Sequence, residues 1–305
     1  MKAHVVLFGA GASFGAGDII PEKPPLGNQL YNRLKDFFPT SWGRLPKEID
    51  EVIAADFEKG MNIVYEQYSQ IIAPLMKDMA VYLIQLRPYS HESLYDLLIK
   101  RLIKLGFLES FLFSTLNYDC ILEFCLLNQN RRVSYWDYGR ENSVPVWKLH
   151  GSANWFSKDI EAGAGVTFTK GVTFEGGLKA FLDTNEVIGK CIVNQGLYPS
   201  MCLFMKGKPV QIAPSIIMEQ QKKWSDTVAS ARTVSCIGVN PLPEDSHIWE
   251  PIARTKAKLY FIGDKKAFDA WVQEFREGEC IFIEPYFNTG FNKLIKEWQS
   301  EIKRG

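Results

Sequence analysis

The sequence predicts an α/β protein whose centre is a Rossmann-like, mostly parallel sheet with helices on both faces. Short apolar runs rich in β-branched and aromatic residues recur along the chain, and several stretches between them have helical periodicity. The first run, His4–Phe8, ends directly in the glycine turn Gly9–Ser13, an arrangement that opens many nucleotide-binding α/β domains. Short apolar strands that alternate with helices are typical of a parallel sheet buried on both faces.

The other strand candidates are apolar runs of the same kind. They are Phe111–Leu116, Pro145–Leu149, Val210–Ala213, Thr233–Ile237, Lys258–Ile262 and, as an edge strand, Cys280–Glu284. Helices are expected at Cys120–Leu127, Met218–Ala231, Lys266–Phe275 and Asn288–Lys303.

Two long segments interrupt this alternation, and we interpret them as insertions. Residues 26–106 have mostly helical periodicity, clearest over His91–Leu105, where leucines recur at helical spacing. Residues 155–208 are richer in glycine and contain short alternating segments such as Val166–Thr169 and Val172–Phe174, which favour irregular and β structure. We therefore expect a single Rossmann-like domain over residues 1–305, with a helical insertion and a small irregular one.

The composition is that of an ordinary globular protein. Of the 305 residues, 46% are hydrophobic and 23% charged, and 35 Lys and Arg residues balance 35 Asp and Glu residues. This balance argues against a surface built to bind nucleic acid or an acidic membrane. No apolar run has the length of a membrane span or the form of a secretory signal, so we expect a cytoplasmic protein.

The six cysteines are scattered along the chain, and none forms a Cys-x-x-Cys pair. They are Cys120, Cys125, Cys191, Cys202, Cys236 and Cys280. This spacing matches neither a zinc ribbon nor a dithiol redox motif, and it is typical of small hydrophobic residues in a reducing compartment. We therefore expect no metal in the protein.

Four of the predicted strands end in polar or glycine-rich turns. These turns are Gly9–Ser13, Asn117–Asp119, His150–Ser152 and Gly238–Asn240. Ligands of open parallel sheets bind outside the carboxyl ends of the strands, so four turns that are distant in sequence can meet at one pocket.

The first of these turns consists of Gly9, Ala10, Gly11, Ala12 and Ser13. Its glycines would let the backbone approach a pyrophosphate and point N–H groups at it, but a plain tight turn explains them equally well. Phe14 occupies the last position of the Gly-x-Gly-x-x-Gly fingerprint, and no Gly-Lys-Ser/Thr follows. A dehydrogenase and a P-loop enzyme are therefore disfavoured.

The other turns carry polar side chains with two interpretations each. Asn117 and Asp119 can form an Asx turn that caps the next helix, or they can belong to a site. His150 can be a structural histidine, but among the four histidines it alone lies between a buried strand and a glycine. We expect His247 to lie in a polar loop.

Taken in order, these blocks resemble the sirtuin signature. The matching blocks are Gly9-Ala10-Gly11-Ala12-Ser13, Leu116-Asn117-Tyr118-Asp119, Lys148-Leu149-His150-Gly151-Ser152, Ile212-Ala213-Pro214-Ser215 and Ile237-Gly238-Val239-Asn240, with Asp245 downstream. The residues of these motifs are most similar to those of the bacterial sirtuin-like branch found in antiphage systems such as Thoeris and the Argonaute- and helicase-associated modules. Those proteins are mainly effectors that degrade NAD.

Two features usual in sirtuin deacylases are missing. Ala153–Lys208, after the His-Gly turn, contains only Cys191 and Cys202 where two zinc-binding cysteine pairs are usual. Gly17-Asp18-Ile19-Ile20-Pro21 stands in place of the usual Gly-Ile-Pro-Asp-Phe-Arg stretch. These departures put acyl-lysine binding in doubt and leave NAD binding intact.

The resemblance also implies roles for individual residues. His150 would be the catalytic histidine, Asn117 would help to hold the nicotinamide ribose and the reacting water, and Asp119 would contact the carboxamide. The residues that line the cofactor would be Gly9, Ala10, Gly11, Ala12, Ser13, Ser215, Gly238 and Asn240.

We therefore expect an NAD glycohydrolase that takes NAD as its substrate and releases nicotinamide and ADP-ribose. An NAD-dependent protein deacylase or ADP-ribosyltransferase and a nucleotide-binding regulatory module without catalysis stay open as alternatives. An NADase that was always active would drain its host's cofactor pool. We therefore expect activation by assembly into a homo-oligomer or by a separately encoded sensor, such as an Argonaute-like or ATPase partner. No direct binding to nucleic acid or membranes is expected.

Overall fold

The computed structural model describes residues 4–136, 142–158, 170–193 and 197–303, which form an α/β fold. The strands are β1 (His4–Phe8), β2 (Ile19–Ile20), β3 (Arg87–Pro88), β4 (Phe111–Thr115), β5 (Arg132–Ser134), β6 (Ser143–Lys148), β7 (Trp155–Ser157), β8 (Leu178–Ala180), β9 (Thr233–Ile237), β10 (Lys258–Ile262) and β11 (Cys280–Glu284). The α-helices are α1 (Ala10–Phe14), α2 (Asn28–Phe37), α3 (Lys47–Ala55), α4 (Phe57–Gln67), α5 (Ile72–Ile84), α6 (Leu94–Lys104), α7 (Ile121–Asn128), α8 (Thr184–Val193), α9 (Pro214–Ser230), α10 (Ser246–Arg254), α11 (Lys265–Phe275) and α12 (Phe287–Lys303). Short 3₁₀ helices occur at Trp42–Arg44, Ser69–Ile71, Leu108–Ser110 and Pro243–Asp245.

The main sheet has seven strands in the order β11-β10-β9-β1-β4-β6-β5. All the strand pairings described within it are parallel, which confirms the predicted fold class. Two small antiparallel pairs, β2 with β3 and β7 with β8, lie outside this sheet.

Helices cover both faces of the sheet, as the alternating residues of β1 demonstrate. Val5 and Leu7 belong to a core that includes residues of α9, α10 and α11. Val6 and Phe8 belong to a larger core that includes residues of α2 to α8 and of α12. Each such fully buried side chain contributes about 1.5–3 kcal/mol to folding. Burial on both sides therefore explains why β1 is apolar from Val5 to Phe8 rather than alternating.

The central strand β1 lies where the direction of chain progression across the sheet reverses. From β1 the chain builds β4, β5 and β6 on one side, and it later builds β9, β10 and β11 on the other side. In open parallel sheets such a switch point opens a crevice at the carboxyl ends of the strands. The turns that follow β1 and β9 flank this position.

The two segments interpreted as insertions contain the expected secondary structure to different degrees. Residues 26–106 contain helices α2 to α6, as their periodicity predicted. Residues 155–208 contain the short strands β7 and β8, but they also contain helix α8, which was not expected. The segment Val166–Thr169 lies outside the described residues. That residues 1–305 form one domain stays a prediction.

Two local expectations are wrong. Val210–Ala213 is not a strand of the main sheet and starts no βα unit, because Val210 bridges Cys202 and Ile212 bridges Phe174, two residues of the small insertion. Gln211, Ile212 and Ala213 are buried there, and periodicity alone cannot distinguish this burial from that of a sheet strand. His247 lies in α10 and not in a polar loop.

Within the described ranges, no helix is both long enough and apolar enough to cross a membrane.

Candidate functional site

Four strands of the sheet end level with one another at the same edge. The last paired residues of β1, β4, β6 and β9 are Phe8, Thr115, Lys148 and Ile237, which stand in register. Asn117 and His150 each follow two residues beyond this level, on the neighbouring strands β4 and β6. The register thus brings the ends of these two strands to the same edge as the glycine turn after β1.

The glycine turns after β1 and β9 pack directly against each other. The N–H group of Gly11 donates to the carbonyl oxygen of Gly238 at 3.0 Å. A Cβ added to Gly9 or Gly11 would come within 2.5 or 2.8 Å of Gly238 backbone atoms. Gly238 has a φ of +64°, and a Cβ on it would lie 2.1 Å from the nitrogen of Ala12. The contact between the two turns therefore requires all three glycines.

Backbone donors of the first turn, which a pyrophosphate could have used, are bonded within the protein. The N–H groups of Gly9, Gly11 and Ala12 donate to the carbonyl oxygens of Ile237, Gly238 and Gly9, respectively. Ala10 is exposed and Gly11 is half-buried. A ligand at this turn therefore meets the surface of Ala10 and Gly11, and it does not meet these three N–H groups as free donors.

We expect Gly238→Ala to destabilise the protein by about 2–5 kcal/mol, because it combines a left-handed backbone with an overlap against the next turn. Gly106→Ala is the matched control, since Gly106 has a φ of +72° but no atom within 4 Å of its added Cβ. The control should lose only the conformational part, about 1–2 kcal/mol. Denaturant unfolding measures both losses, and equal losses would contradict the steric role of Gly238.

Asn117, Ser13 and Asp119 form a hydrogen-bonded group at the ends of β1 and β4. Asn117 Nδ2 donates to the carbonyl oxygen of Gly9 and to Ser13 Oγ, each at 3.0 Å. Ser13 Oγ donates to Asp119 Oδ2 at 3.2 Å, and Asp119 Oδ1 accepts the N–H group of Ile121 at 3.1 Å. The Asx turn that was one interpretation of these residues is therefore present, and Asn117 also contacts the glycine turn after β1.

A buried ion pair lies beside this group. Lys148 Nζ lies 3.0 Å from Glu123 Oε1, and both side chains are fully buried. Lys148 also donates to the carbonyl oxygen of Asp119, and the hydroxyl group of Tyr135 donates to Glu123 Oε1 at 3.1 Å. Burial by itself lowers the pKa of Lys148, but Glu123 and other neighbours raise it above its ordinary value, so the ammonium group stays charged. The pair joins β6 to α7 and holds the backbone of Asp119.

His150 is buried, and its imidazole faces two residues from a distant part of the chain. His150 Nε2 lies 2.9 Å from His247 Nε2 and 3.9 Å from Asp245 Oδ1. Asp245 ends the 3₁₀ helix before α10, and His247 lies in the first turn of α10. Because one ring nitrogen must donate and the other accept, the two imidazoles share one proton along this contact.

Burial and a nearby lysine shift the pKa values of His150, His247 and Asp245. Burial, followed by the proximity of His247 and of the positively charged Lys208, lowers the pKa of His150 well below its ordinary value. Burial and Lys208 lower the pKa of His247 to about 4. Burial raises the pKa of Asp245, although Lys208 opposes the rise. Lys208 itself is paired with Glu58 of α4. Both imidazoles are therefore neutral near pH 7.

No family model and no curated protein matches the chain. Among solved structures, it is similar to a crystal structure of Sir2 in complex with the inhibitor EX-527, 2′-O-acetyl-ADP-ribose and a deacetylated p53 peptide. That similarity has a TM-score of 0.44 and 15% sequence identity, and it covers 99% of this chain and 94% of the other. Similarity at this level establishes no shared function.

Two of the residues expected to line a cofactor lie apart from these contacts. Ser215 is exposed near the start of α9, and its Oγ donates to Glu175 Oε2 at 2.6 Å. Asn240 is exposed in the loop after β9. Among the described hydrogen bonds, neither side chain contacts the glycine turn, Asn117 or His150.

Sequence reasoning missed His247, the contact partner of His150. The two residues are 97 positions apart, and the packing of α10 beside the end of β6 brings them together. The available signal was Asp245, which the sirtuin resemblance included and which lies two residues before His247. The expectation of no metal rested on cysteine spacing. It did not consider that ligand atoms of His150, Asp245 and His247 all lie within 4.8 Å of one another.

Proposed function

We propose that this chain binds NAD at the carboxyl edge of the sheet and hydrolyses the bond between nicotinamide and ribose. The observation that supports this most is the position of Asn117 and His150 two residues beyond level strand ends, with Asn117 bonded to the glycine turn. An asparagine and a histidine at adjoining strand ends are suited to hold a hydroxyl group and accept its proton. The order of the motifs, which resembles that of NAD-degrading sirtuin-like proteins, agrees with this assignment.

In this proposal the cofactor lies across Gly9, Ala10, Gly11, Ala12 and Ser13 and contacts Asn117, Asp119, Ser215, Gly238 and Asn240. Burial raises the pKa of Asp119, although the charge of Lys148 opposes the rise. In this proposal its carboxyl oxygens accept the N–H group of the nicotinamide carboxamide. The contact of Ser215 requires its hydroxyl group to leave Glu175.

The reaction follows from the charge changes at the ribose. The bond between the ribose carbon and the nicotinamide nitrogen breaks, its electron pair stays on nicotinamide, and oxocarbenium character develops on the sugar. Water, held by the amide of Asn117, adds to that carbon and gives a proton to the neutral imidazole of His150, which passes it to solvent. The products are nicotinamide, ADP-ribose and one proton. Orientation of the cofactor and exclusion of other water supply much of the rate.

The burial of His150 favours an enzyme whose activity is controlled. The residue is only 4% exposed, and its Nε2 is engaged by His247. The start of α10 must therefore separate from the end of β6 before His150 can act. We include in the proposal that assembly into a homo-oligomer, or contact with a separately encoded sensor, produces this separation. An NAD-depleting role in cytoplasmic antiphage defence belongs to the same proposal.

The direct test is incubation of the purified chain with NAD, followed by chromatographic separation of the products. We expect nicotinamide and ADP-ribose in equal amounts, with a rate per chain that rises with protein concentration if self-assembly activates the enzyme. Both the rate and the oligomeric state are measured over a series from dilute to concentrated protein, with size-exclusion chromatography at each point. The series shows whether the rate per chain rises as the chain assembles. Full turnover by a monomer at every dilution would contradict activation by assembly.

The same assay separates the alternatives when an acetyl-lysine peptide is added. A deacylase would release nicotinamide only with the peptide and form an acetylated ADP-ribose, and an ADP-ribosyltransferase would label a protein acceptor. Tight NAD binding without release of nicotinamide at any protein concentration would instead identify a regulatory module and contradict the proposal.

A further inference from the structure

We propose that His150, Asp245 and His247 form a binding site for a divalent transition-metal ion such as Zn²⁺, and that the bound ion blocks His150. The binding part is independent of NAD chemistry. The blocking part rests on the proposed function, because it assigns His150 to NAD cleavage.

The spacing of the three side chains fits a common centre. His150 Nε2 lies 2.9 Å from His247 Nε2 and 3.9 Å from Asp245 Oδ1, and all three ligand atoms lie within 4.8 Å of one another. Ligand atoms around a tetrahedral zinc ion, each about 2.0–2.2 Å from the metal, are about 3.4 Å from each other. The measured separations lie on both sides of that value, so small rotations of the side chains would complete the site.

The carboxylate of Asp245 supplies a second, independent observation. Its Oδ1 is buried and has no hydrogen-bond partner among the described residues. A buried polar atom without a partner is costly, and native proteins rarely leave one unexplained. The hydrogen bond between His150 and His247 pairs their two Nε2 atoms and leaves this oxygen without a partner. A cation among the three groups would satisfy all of them.

The chemistry of the ligands selects the class of ion. Two imidazole nitrogens and one carboxylate are typical ligands of Zn²⁺, Co²⁺ and related ions, whereas Mg²⁺ and Ca²⁺ prefer oxygen ligands alone. Three protein ligands leave a fourth position for water, as in many zinc sites that are not purely structural. Lys208 is a cationic neighbour of the site, but its ammonium group is paired with Glu58, which offsets its repulsion of the ion.

Metal binding would remove the lone pair that NAD cleavage needs. The ion takes the electron pair of His150 Nε2, so this nitrogen can no longer accept a proton from water. The same ion fastens the start of α10 to the end of β6 and keeps the entrance to His150 closed. Loss of the ion would then be one requirement for activity.

The test uses the full chain, stripped with a chelator and titrated with Co²⁺, whose visible absorption reports coordination by nitrogen and oxygen ligands. We expect one Co²⁺ per chain, displaced by Zn²⁺, with a ligand-field spectrum of low coordination number. Asp245→Asn and His247→Gln should each weaken binding by more than the roughly 10–100-fold that loss of an outer-shell partner costs. His91→Gln changes an exposed histidine elsewhere and is the matched control, so it should bind as wild type does.

Thermal unfolding with and without Zn²⁺ gives a second readout that does not depend on activity. Zn²⁺ should raise the unfolding temperature of the wild type and of His91→Gln, and it should raise that of the ligand variants much less. Equal Co²⁺ spectra and equal thermal shifts in all four proteins would overturn the site. If the site binds Zn²⁺ but NAD cleavage proceeds at the same rate with the ion bound, the blocking role is wrong while the metal site stands. A chain that binds Zn²⁺ and cleaves no NAD under any condition contradicts the proposed function instead.

Discussion

Replacing His150 with alanine is expected to lower the rate of NAD cleavage by about 10²–10⁴-fold, the usual cost of losing a general base. The measurement is initial rate by chromatography of nicotinamide, with protein concentration held constant. Because His150 is buried beside His247, circular dichroism and thermal unfolding must establish that the variant is folded. His150→Gln keeps a polar side chain and should lose activity to a similar extent. His91→Ala, at an exposed histidine, should retain wild-type turnover.

Asn117→Ala is expected to lose NAD cleavage in the same assay for a different reason. The substitution removes the amide that bonds to both Gly9 and Ser13. Neither the glycine turn nor the reacting water is then held in place. Ser13→Ala removes only one acceptor of that amide and should cost less activity. Turnover within a few-fold of wild type in a folded His150→Ala or Asn117→Ala protein would remove that residue from the mechanism.

Lys148→Met is expected to destabilise the protein by about 3–5 kcal/mol, because it leaves the carboxylate of Glu123 buried without its counter-charge. Both side chains of the pair are fully buried, and Glu123 Oε2 already lacks a hydrogen-bond partner among the described residues. The substitution also removes the donor that holds the carbonyl oxygen of Asp119. Denaturant unfolding, analysed by linear extrapolation, measures the loss.

The double variant Lys148→Met with Glu123→Leu is the matched control for this prediction. Replacing a whole buried ion pair by apolar side chains is often neutral, so the double variant should recover most of the lost stability. It still loses the acceptor of Tyr135, which costs about 1 kcal/mol. A double variant as unstable as Lys148→Met would show that shape, and not unpaired charge, explains the loss.

The strands and their turns could be predicted from the sequence because their signals are local. Strands buried on both faces are rich in apolar and β-branched residues and carry few charges, so His4–Phe8 and Thr233–Ile237 are recognised from their own residues. The positions of Asn117 and His150 then follow from the rule that parallel strands end at one edge. Helical periodicity was equally local in residues 26–106.

The features that could not be predicted depend on contacts between segments that are distant in sequence. His247 lies in an amphipathic helix, and apart from Asp245, two residues earlier, nothing near it in sequence indicates that α10 packs beside His150. In the sequence interpretation the N–H groups of Gly9 and Gly11 were available to a ligand. In the structure they donate to the carbonyl oxygens of Ile237 and Gly238. The end of Val210–Ala213 is buried by contacts with the small insertion, such as that of Ile212 with Phe174. Such burial looks the same in sequence as burial inside a sheet.

Strand β1 is completed on both sides only by strands that the ribosome makes much later. His4 pairs with Phe111 on one side and with Thr233 on the other, the latter 229 positions further along the chain. At a synthesis rate of about 5–20 residues per second, β9 leaves the ribosome about 10–50 s after β1. Throughout that interval the apolar residues Val5–Phe8 have an unpaired edge, the kind of segment that aggregates or binds chaperones. Native folding of the nascent chain therefore waits for its last third, and a stalled or truncated translation product would be a chaperone or protease substrate.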